Sequence, residues 1–327
     1  MPITYNGVTV DAVTYNGTEV DEVLYNGVSV FQKVADLPEL KFTSLSDGST
    51  ISFGRTSGTW EINCYYCLDK VNWIAYTKGT VLTLDSGEYV YFKCTTNTLT
   101  SVSTADQAYR FTMTGSFRAS GNVMSLINYG SLTSSCFAYM FFQCSSLTTC
   151  PELPATVLAN SCYYYMFGNT GIVAPPVLPA TVMKDSCYGH MFHSCKSLKS
   201  LPELPATTLA PYCYYNMFNT CSTLVGEVYL PSTETANYAY TNMFSNCYYI
   251  TKAEVLTAAL GTYQMKEMFK NCIKLESITV HFSAWVTNAT TNWVSSVKSS
   301  GTFTCPSALA TTRGTSNIPN NWTITNI

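Results

Sequence analysis

The sequence predicts a mainly β chain with short helices, built as a repeat solenoid behind a β-sandwich-like domain and a short β segment. Three observations predict it. The pair Met-Phe recurs every 25 or 26 residues, at Met140-Phe141, Met166-Phe167, Met191-Phe192, Met217-Phe218, Met243-Phe244 and Met268-Phe269. The residues around each pair keep the same phase. Upstream, alternating apolar and polar runs are separated by turn signals. Regular self-similarity at this period marks stacked repeats. Stacking also resolves the length, because 327 residues exceed one ordinary core unless that core grows along an axis.

The columns define the repeat. Four residues before each Met stand Cys136, Cys162, Cys187, Cys213, Ala239 and Gln264; four after it stand Cys144, Thr170, Cys195, Cys221, Cys247 and Cys272. Leu147, Val173, Leu198, Leu224, Ile250 and Leu275 follow seven after it. Leu-Pro then closes four of the units, at Leu153-Pro154, Leu178-Pro179, Leu204-Pro205 and Leu230-Pro231. The run Cys162 to Phe167 has apolar residues at helical spacing, which predicts one or two turns of helix. Leu198 to Leu204 reads as a short strand stopped by Pro205. One strand plus one helical piece per unit is the grammar of a leucine-rich-repeat coil, and the array holds about six coils. No single coil can bury its own Met, Phe, Leu and Cys. Stacking stabilises by roughly 1.5–3 kcal/mol for each large side chain buried.

These units resemble the BspA-type leucine-rich repeats of gut bacteria and their phages. That family carries an L-x-x-I-x-I-P pattern and a helix ending A-F-x-x-C-x-x-L. Met-Phe takes the A-F place here, and Cys195 with Leu198, or Cys221 with Leu224, fits the C-x-x-L. Thr170 and Val173 depart from it in the second unit. The resemblance covers residues 119–283. It implies a leucine-rich-repeat solenoid engaged in adhesion, host interaction or phage structure. Residues 284–327 lose the period and are expected to cap the solenoid. Their N-W, G-T-F and I-P-x-x-W order is similar to the closing segment of the same family.

Residues 1–34 carry a second repeat, of period ten: Tyr5-Asn6-Gly7, Tyr15-Asn16-Gly17 and Tyr25-Asn26-Gly27. Asn-Gly between β-formers is the strongest short hairpin signal, since both residues tolerate positive φ. A free-standing segment of this size buries little, so it is expected to dock on a partner or on copies of itself. It resembles the short Tyr-Asn-Gly repeats that begin phage tail and head-fibre proteins. Those nine residues are therefore the candidate attachment site. Residues 42–118 alternate with period two, as in Ile51-Ser52-Phe53 and Tyr89-Val90-Tyr91-Phe92. Asp47-Gly48, Lys78-Gly79 and Ser86-Gly87 punctuate them, which predicts a small β-sandwich.

Composition excludes several functions. Charged residues are only 11% and the net charge is −3, which gives no footprint for nucleic acid or an anionic membrane. No apolar run is long enough for membrane insertion. The N-terminus lacks a basic and apolar leader, so export by a secretory signal is not expected. Only three His occur, with no Ser-His-acid order, paired carboxylates or phosphate loop. The chain is not expected to be an enzyme, and no catalytic residue or cofactor is assigned.

Two clusters invite a metal or redox reading. Cys187, His190, His193 and Cys195 offer four ligand types within nine residues. However, Cys187 and Cys195 occupy positions that are Cys, Thr, Ala or Gln in sister repeats, read as small core columns, whereas His190 and His193 share variable columns read as polar and outward. Inward Cys and outward His cannot close on one ion, so no metal is assigned. Cys64-Tyr65-Tyr66-Cys67 lacks a thioredoxin-like context and reads as buried thiols. The repeat cysteines read as reduced, packed hydrophobes.

Tyrosine is the better functional lead, with 24 residues. Phe137, Tyr163, Tyr188, Tyr214 and Tyr240 form one column, read as a core ladder. Tyr165, Tyr212, Tyr248 and Tyr249 fall outside it and are the candidate ligand-binding residues. The expectation is a structural or adhesive phage virion protein, a head or tail fibre that binds a receptor or glycan. Its partners would be other virion proteins through the N-terminus and a bacterial surface glycan or protein, in a homo-oligomer, with no nucleic acid and no membrane insertion. A secreted cell-surface adhesin of the BspA type is the alternative.

Overall fold

A computed structural model describes residues 38–59, 62–96, 99 and 104–327, together with the backbone of six short strands before residue 38. Those six strands form three separate antiparallel hairpins: β1 (Thr4–Tyr5) with β2 (Val8–Thr9), β3 (Val13–Tyr15) with β4 (Thr18–Val20), and β5 (Glu22–Tyr25) with β6 (Val28–Gln32). Tyr5 pairs with Val8, Tyr15 with Thr18 and Tyr25 with Val28. Each register leaves two residues between the paired strands; the expected Asn-Gly turns themselves lie outside the described residues.

Two sheets make the next layer. β7 (Leu40–Ser44), β9 (Cys64–Cys67), β10 (Ile74–Ala75), β12 (Tyr89–Cys94) and β14 (Phe117–Ser120) join in the order β10-β9-β12-β7-β14. β8 (Ser49–Gly54), β11 (Leu82–Leu84) and β13 (Arg110–Thr114) join in the order β11-β8-β13. The period-two pattern places Ile51, Phe53, Val90 and Phe92 inside and leaves Tyr89 and Tyr91 partly exposed. Gly48, Gly79 and Gly87 sit at the turns with positive φ. Cys64 and Cys94 face each other across β9 and β12 and form a disulfide. This corrects the expectation of reduced thiols at the C-x-x-C. Strand register, which spacing along the chain does not reveal, sets Cys94 opposite Cys64, while Cys67 stays a free buried thiol. The remaining cysteines of the chain are also free.

A β-solenoid of about four turns follows. Its sheet is parallel, in the order β15 (Val225–Leu230), β16 (Tyr249–Val255), β17 (Ser277–Val280), β18 (Thr302–Cys305) and β19 (Thr323–Asn326). Further upstream the passes form no continuous ladder; they meet at isolated parallel bridges, such as Phe117 with Leu147 and Val182 with Thr208, and at single amide bonds such as Val173 to Thr148 and Lys199 to Val173. Leu198 to Leu204, expected as a strand, forms none; among the described residues its backbone bonds to the backbone of the neighbouring passes at Lys199 alone. Proline explains the difference. Pro202 and Pro205 remove two N–H donors from that pass, as Pro151 with Pro154 and Pro175, Pro176 and Pro179 do in earlier ones. β16 and β17 contain none, so the ladder closes.

The expected short helices do not form. Among the described residues the only helical element is a 3-10 turn, Val123–Ile127, capped by the Asn122 side chain. The run around each Met-Phe pair is instead a ribbon of overlapping turns. Alternate amides bond back three residues, as in Cys136 N–H to Thr133, Ala138 to Ser135 and Met140 to Phe137. The amides between them bond forward to the next repeat: Phe137 to Cys162, Tyr139 to Tyr164 and Phe141 to Met166, at 2.9 Å each. Every fourth residue is left-handed, for example Ser135, Tyr139 and Gln143, then Ser161, Tyr165 and Asn169. An α-helix would spend all its N–H groups internally. The ribbon spends half of them on its neighbour, which makes it a second ladder on the side of the solenoid away from the sheet.

Between ribbon and sheet the core is continuous from Leu40 to Trp322. One ring ladder runs Phe111, Phe141, Phe167, Phe192, Phe218, Phe244 and Phe269, with centroids 5.4–5.8 Å apart and planes within 11°. Phe111 belongs to β13 and also stacks on Phe53 at 4.5 Å. Its N–H donates to the Met140 carbonyl. The sandwich therefore seals the first turn, as a solenoid end requires. A second ladder, Phe137, Tyr163, Tyr188, Tyr214 and Tyr240, is fully buried, as its column predicted. The cysteine column has its own bonding. Cys221 Sγ donates to the Phe192 carbonyl at 3.0 Å, and Cys247 and Cys272 repeat the contact on Phe218 and Phe244 at 3.1 Å. At the far end Trp293 and Trp322 are buried, their indole N–H groups bonded to the carbonyls of Asn317 and Lys298.

Candidate aromatic binding face

The left-handed positions of the ribbon place their side chains on the outer face, since the Met, Phe and Cys between them point inward. Two of these columns are aromatic over part of their length. Tyr139 stacks on Tyr165 at 5.4 Å and 8°, and Tyr165 on His190 at 4.1 Å and 14°. In the other column Tyr212 stacks on Tyr238 at 4.6 Å and 7°, and Tyr238 on Tyr263 at 5.2 Å. Tyr215 joins the two, touching His190 at 5.1 Å and Tyr212 at 5.6 Å. Phe142, Tyr164 and His193 flank the first column edge-on. The result is an unbroken diagonal band of ten rings across the ribbon.

Local sequence makes room for it. A Cβ on Gly168 would stand 2.9 Å from the Tyr165 ring and 3.1 Å from Phe142, and one on Gly189 would stand 3.0 Å from Tyr164. Ring orientations alternate. Tyr164 lies at about 80° to both Tyr139 and Tyr165, so edges and faces are mixed along the band. Such edge-to-face packing is each pair's preferred geometry.

Charge is sparse along most of the band. Across residues 134–144, 160–170, 185–195, 211–221 and 237–247 the only charged side chain is Asp185; the repeat that carries Tyr263 adds Lys266, whose Nζ lies 5.5 Å from the Tyr263 ring centre, and the Glu267–Lys270 pair. Burial, aided by its neighbour His193, pushes His190 down to about 3, and burial lowers His193 too. Both imidazoles are uncharged near neutrality, and each Nδ1 is buried without a hydrogen-bond partner. Burial also raises the phenols of Tyr139, Tyr164 and Tyr165, reinforced at Tyr164 and Tyr165 by neighbouring tyrosines. Amides border the band, among them Gln143, Asn169 and Asn219, the last donating to the buried Asn216 side chain at 2.7 Å.

The structure brings together two of the four predicted binding tyrosines. Tyr165 and Tyr212 both belong to the band, and Tyr212 is 39% exposed. Tyr248 and Tyr249 are exposed elsewhere, at the head of β16. Of the predicted attachment residues, Tyr5, Tyr15 and Tyr25 end strands β1, β3 and β5. Asn6, Gly7, Asn16, Gly17, Asn26 and Gly27 lie outside the described residues. Around His190 the inward and outward columns separate as expected. Cys187 and Cys195 are fully buried, and Cys195 Sγ donates to the Phe167 carbonyl at 3.0 Å. Burial pushes Cys187 up to about 12 and Cys195 to about 11, which holds both as unreactive thiols.

The sequence reasoning missed Tyr139, Phe142, Tyr215, Tyr238 and Tyr263 as members of one surface. Their signal was present: Tyr139, Tyr165 and His190 fall one repeat apart. Read as an α-helix, the same residues scatter around an axis. Comparison with family models, with curated proteins and with solved structures finds no match for this chain. No helix of the described residues is long and apolar enough to cross a membrane.

Proposed function

We propose that this chain is a non-catalytic recognition protein whose ribbon face binds a neutral glycan. The observation that carries the reading is the contiguous ring band, uncharged from Tyr139 to Tyr238 and bordered by amides. Aromatic rings stack against the C–H faces of sugars, while phenol, imidazole and amide groups serve sugar hydroxyls. Such surfaces combine stacking area with adaptable hydrogen bonding. A ligand without charge suits a face on which two histidines are held neutral.

Within this reading the repeats are leucine-rich repeats of the BspA type, about six coils, and the protein is a phage virion component. The Tyr-Asn-Gly hairpins would attach it to other virion proteins and the solenoid would meet a bacterial surface glycan. The resemblance of the repeats and of the N-terminal segment supports this. The test has two arms. A glycan array probed with the full chain should select neutral glycans, and Tyr165→Ala and Tyr212→Ala should each weaken the best hit by about tenfold. Loss from Tyr248→Ala or Tyr249→Ala instead would move the site. Antibody detection in purified virions tests the location, and absence from them ends the virion reading.

One observation favours a second reading, a secreted bacterial cell-surface adhesin. The Cys64–Cys94 disulfide suits an oxidising compartment. Surface labelling of intact producing cells decides for it if the protein is labelled there and missing from virions.

A further inference from the structure

We propose that the solvent face of the larger sandwich sheet is a second binding site, for an acidic polysaccharide. It is independent of the ribbon face.

Strand β12 lies between β9 and β7, with β14 beyond. The register sets Lys93 opposite Tyr65, Tyr91 opposite Lys41, and Thr43 beside both Tyr89 and Arg118. Cations and rings therefore interleave on one side of the sheet. Lys41 Nζ rests 4.2 Å from the Tyr89 ring centre and 5.4 Å from that of Tyr91. Lys70 lies 5.6 Å from Tyr91, and Lys93 lies 3.9 Å from Trp73. Among the described residues, none of Lys41, Lys70, Lys93 or Arg118 is ion-paired. Four unneutralised cations thus share one face of a chain whose net charge is −3.

The way the lysines are held matters. A carboxylate partner would cancel the charge and occupy the ammonium hydrogens. An aromatic ring does neither: it attracts the cation through its quadrupole and leaves donors free for an incoming anion. The rings fix the lysine heads in advance, which lowers the ordering cost of binding. Tyr65, Tyr89 and Tyr91 share that face with the lysines, and their phenol groups supply the neutral donors and acceptors that sugar hydroxyls need. Nucleic acid fits less well, because rings covered by ammonium heads are not bare stacking platforms for bases. A lipid surface makes little use of phenol hydroxyls set among the cations. The ligand chemistry is therefore a sugar polymer bearing carboxylate or phosphate groups.

Biolayer interferometry on the full chain tests this with five probes: polygalacturonate for carboxylate, a purified teichoic acid for phosphodiester, dextran as the neutral polymer, oligo-dT, and anionic phospholipid vesicles. Binding of polygalacturonate or teichoic acid is expected, and the stronger of the two names the anion. Affinity should fall at least about tenfold from about 50 to about 300 mM salt. The double variant Lys41→Gln/Lys93→Gln should weaken binding at least about tenfold. Arg118→Gln, at an exposed position, should weaken it about threefold and guards against a folding artefact in the double variant. Tyr165→Ala should leave polyanion binding unchanged, which separates this site from the ribbon face. Several results overturn the proposal: no binding of either acidic polymer, binding indifferent to Lys41, Lys93 and Arg118, or tighter capture of oligo-dT or vesicles than of either acidic polymer.

Discussion

Removing one ring from the central ladder, Phe218→Ala, should divide the solenoid's stability in two. Phe218 is fully buried between Phe192 and Phe244, 5.4 Å from each and nearly parallel to both. Truncating a buried Phe costs about 3–5 kcal/mol, transfer and residual cavity together. The two ring contacts, each worth roughly 0.5–1.5 kcal/mol beyond buried area, push the value to the upper end. Folded domains are stable by only about 5–15 kcal/mol, so this is a large fraction. Because stacked repeats couple mainly to their neighbours, the loss falls on two interfaces in the middle of the array. Three of the five tryptophans, Trp285, Trp293 and Trp322, lie at the C-terminal end, so fluorescence follows that end. Far-UV circular dichroism follows the whole chain. In urea, Phe218→Ala should lower both midpoints and separate them, with fluorescence moving first. Phe218→Leu, which nearly conserves volume, should cost less than about 1.5 kcal/mol and keep the transitions together. A cost below about 1 kcal/mol for the alanine variant, with coincident transitions, would refute a continuous core.

Three further outcomes are expected. Thr220 is a β-branched residue held at φ 64, in a column where Asn stands in three of the other five repeats, at Asn169, Asn246 and Asn271; Thr220→Asn should stabilise by about 1 kcal/mol and Thr220→Val should destabilise, read by calorimetry. The Cys64–Cys94 bond closes a separation of 30 residues; the double alanine variant should lose about 3–4 kcal/mol in urea titration, and an unchanged midpoint would deny it a structural role. The folded state holds His190 down at about 3 while an unfolded histidine titrates near 6.5, so between those values the unfolded chain binds the extra proton. Stability should therefore be full above about pH 6.5 and fall as acid is added. His190→Asn should flatten that acid limb, and a limb as steep as before would remove His190 as its cause.

The period, the buried columns and the hairpin pairings were legible because they depend on local chemistry. Met-Phe spacing located the ladder, and Asn-Gly located the three hairpins. The helix was misread for a geometric reason. Cys136, Phe137, Met140, Phe141 and Cys144 fit one face of a 3.6-residue helix, and they fit a four-residue turn ribbon equally well. Over so short a run the two periods differ by about one residue. The distinguishing sign was the repeated Asn, Ser or Tyr every fourth position, as in Tyr238, Asn242 and Asn246, residues that carry the left-handed φ. Prolines explain the missing strand at Leu198 to Leu204. The disulfide was not legible because it depends on register between β9 and β12, which no spacing along the chain encodes.

The aromatic band is a choice of side chain and not a requirement of the fold. One left-handed column shows this directly. Tyr139, Tyr165 and His190 have φ of 61°, 54° and 57°; Asn216, Asn242 and Glu267, in the same column further along, have 54°, 53° and 52°. The backbone is the same at all six, held by forward amide bonds that ignore side-chain identity. Asn is the least strained of these occupants in a left-handed position, so local energetics would favour it throughout. Rings instead occupy the first three places, and the neighbouring column becomes aromatic at Tyr212, where the first turns polar. The hand-over from His190 to Tyr212 passes through Tyr215 and keeps the rings in contact. A fold indifferent to its outer residues, yet carrying strained aromatics in an unbroken diagonal, places the reason for them outside the fold, in what the surface meets.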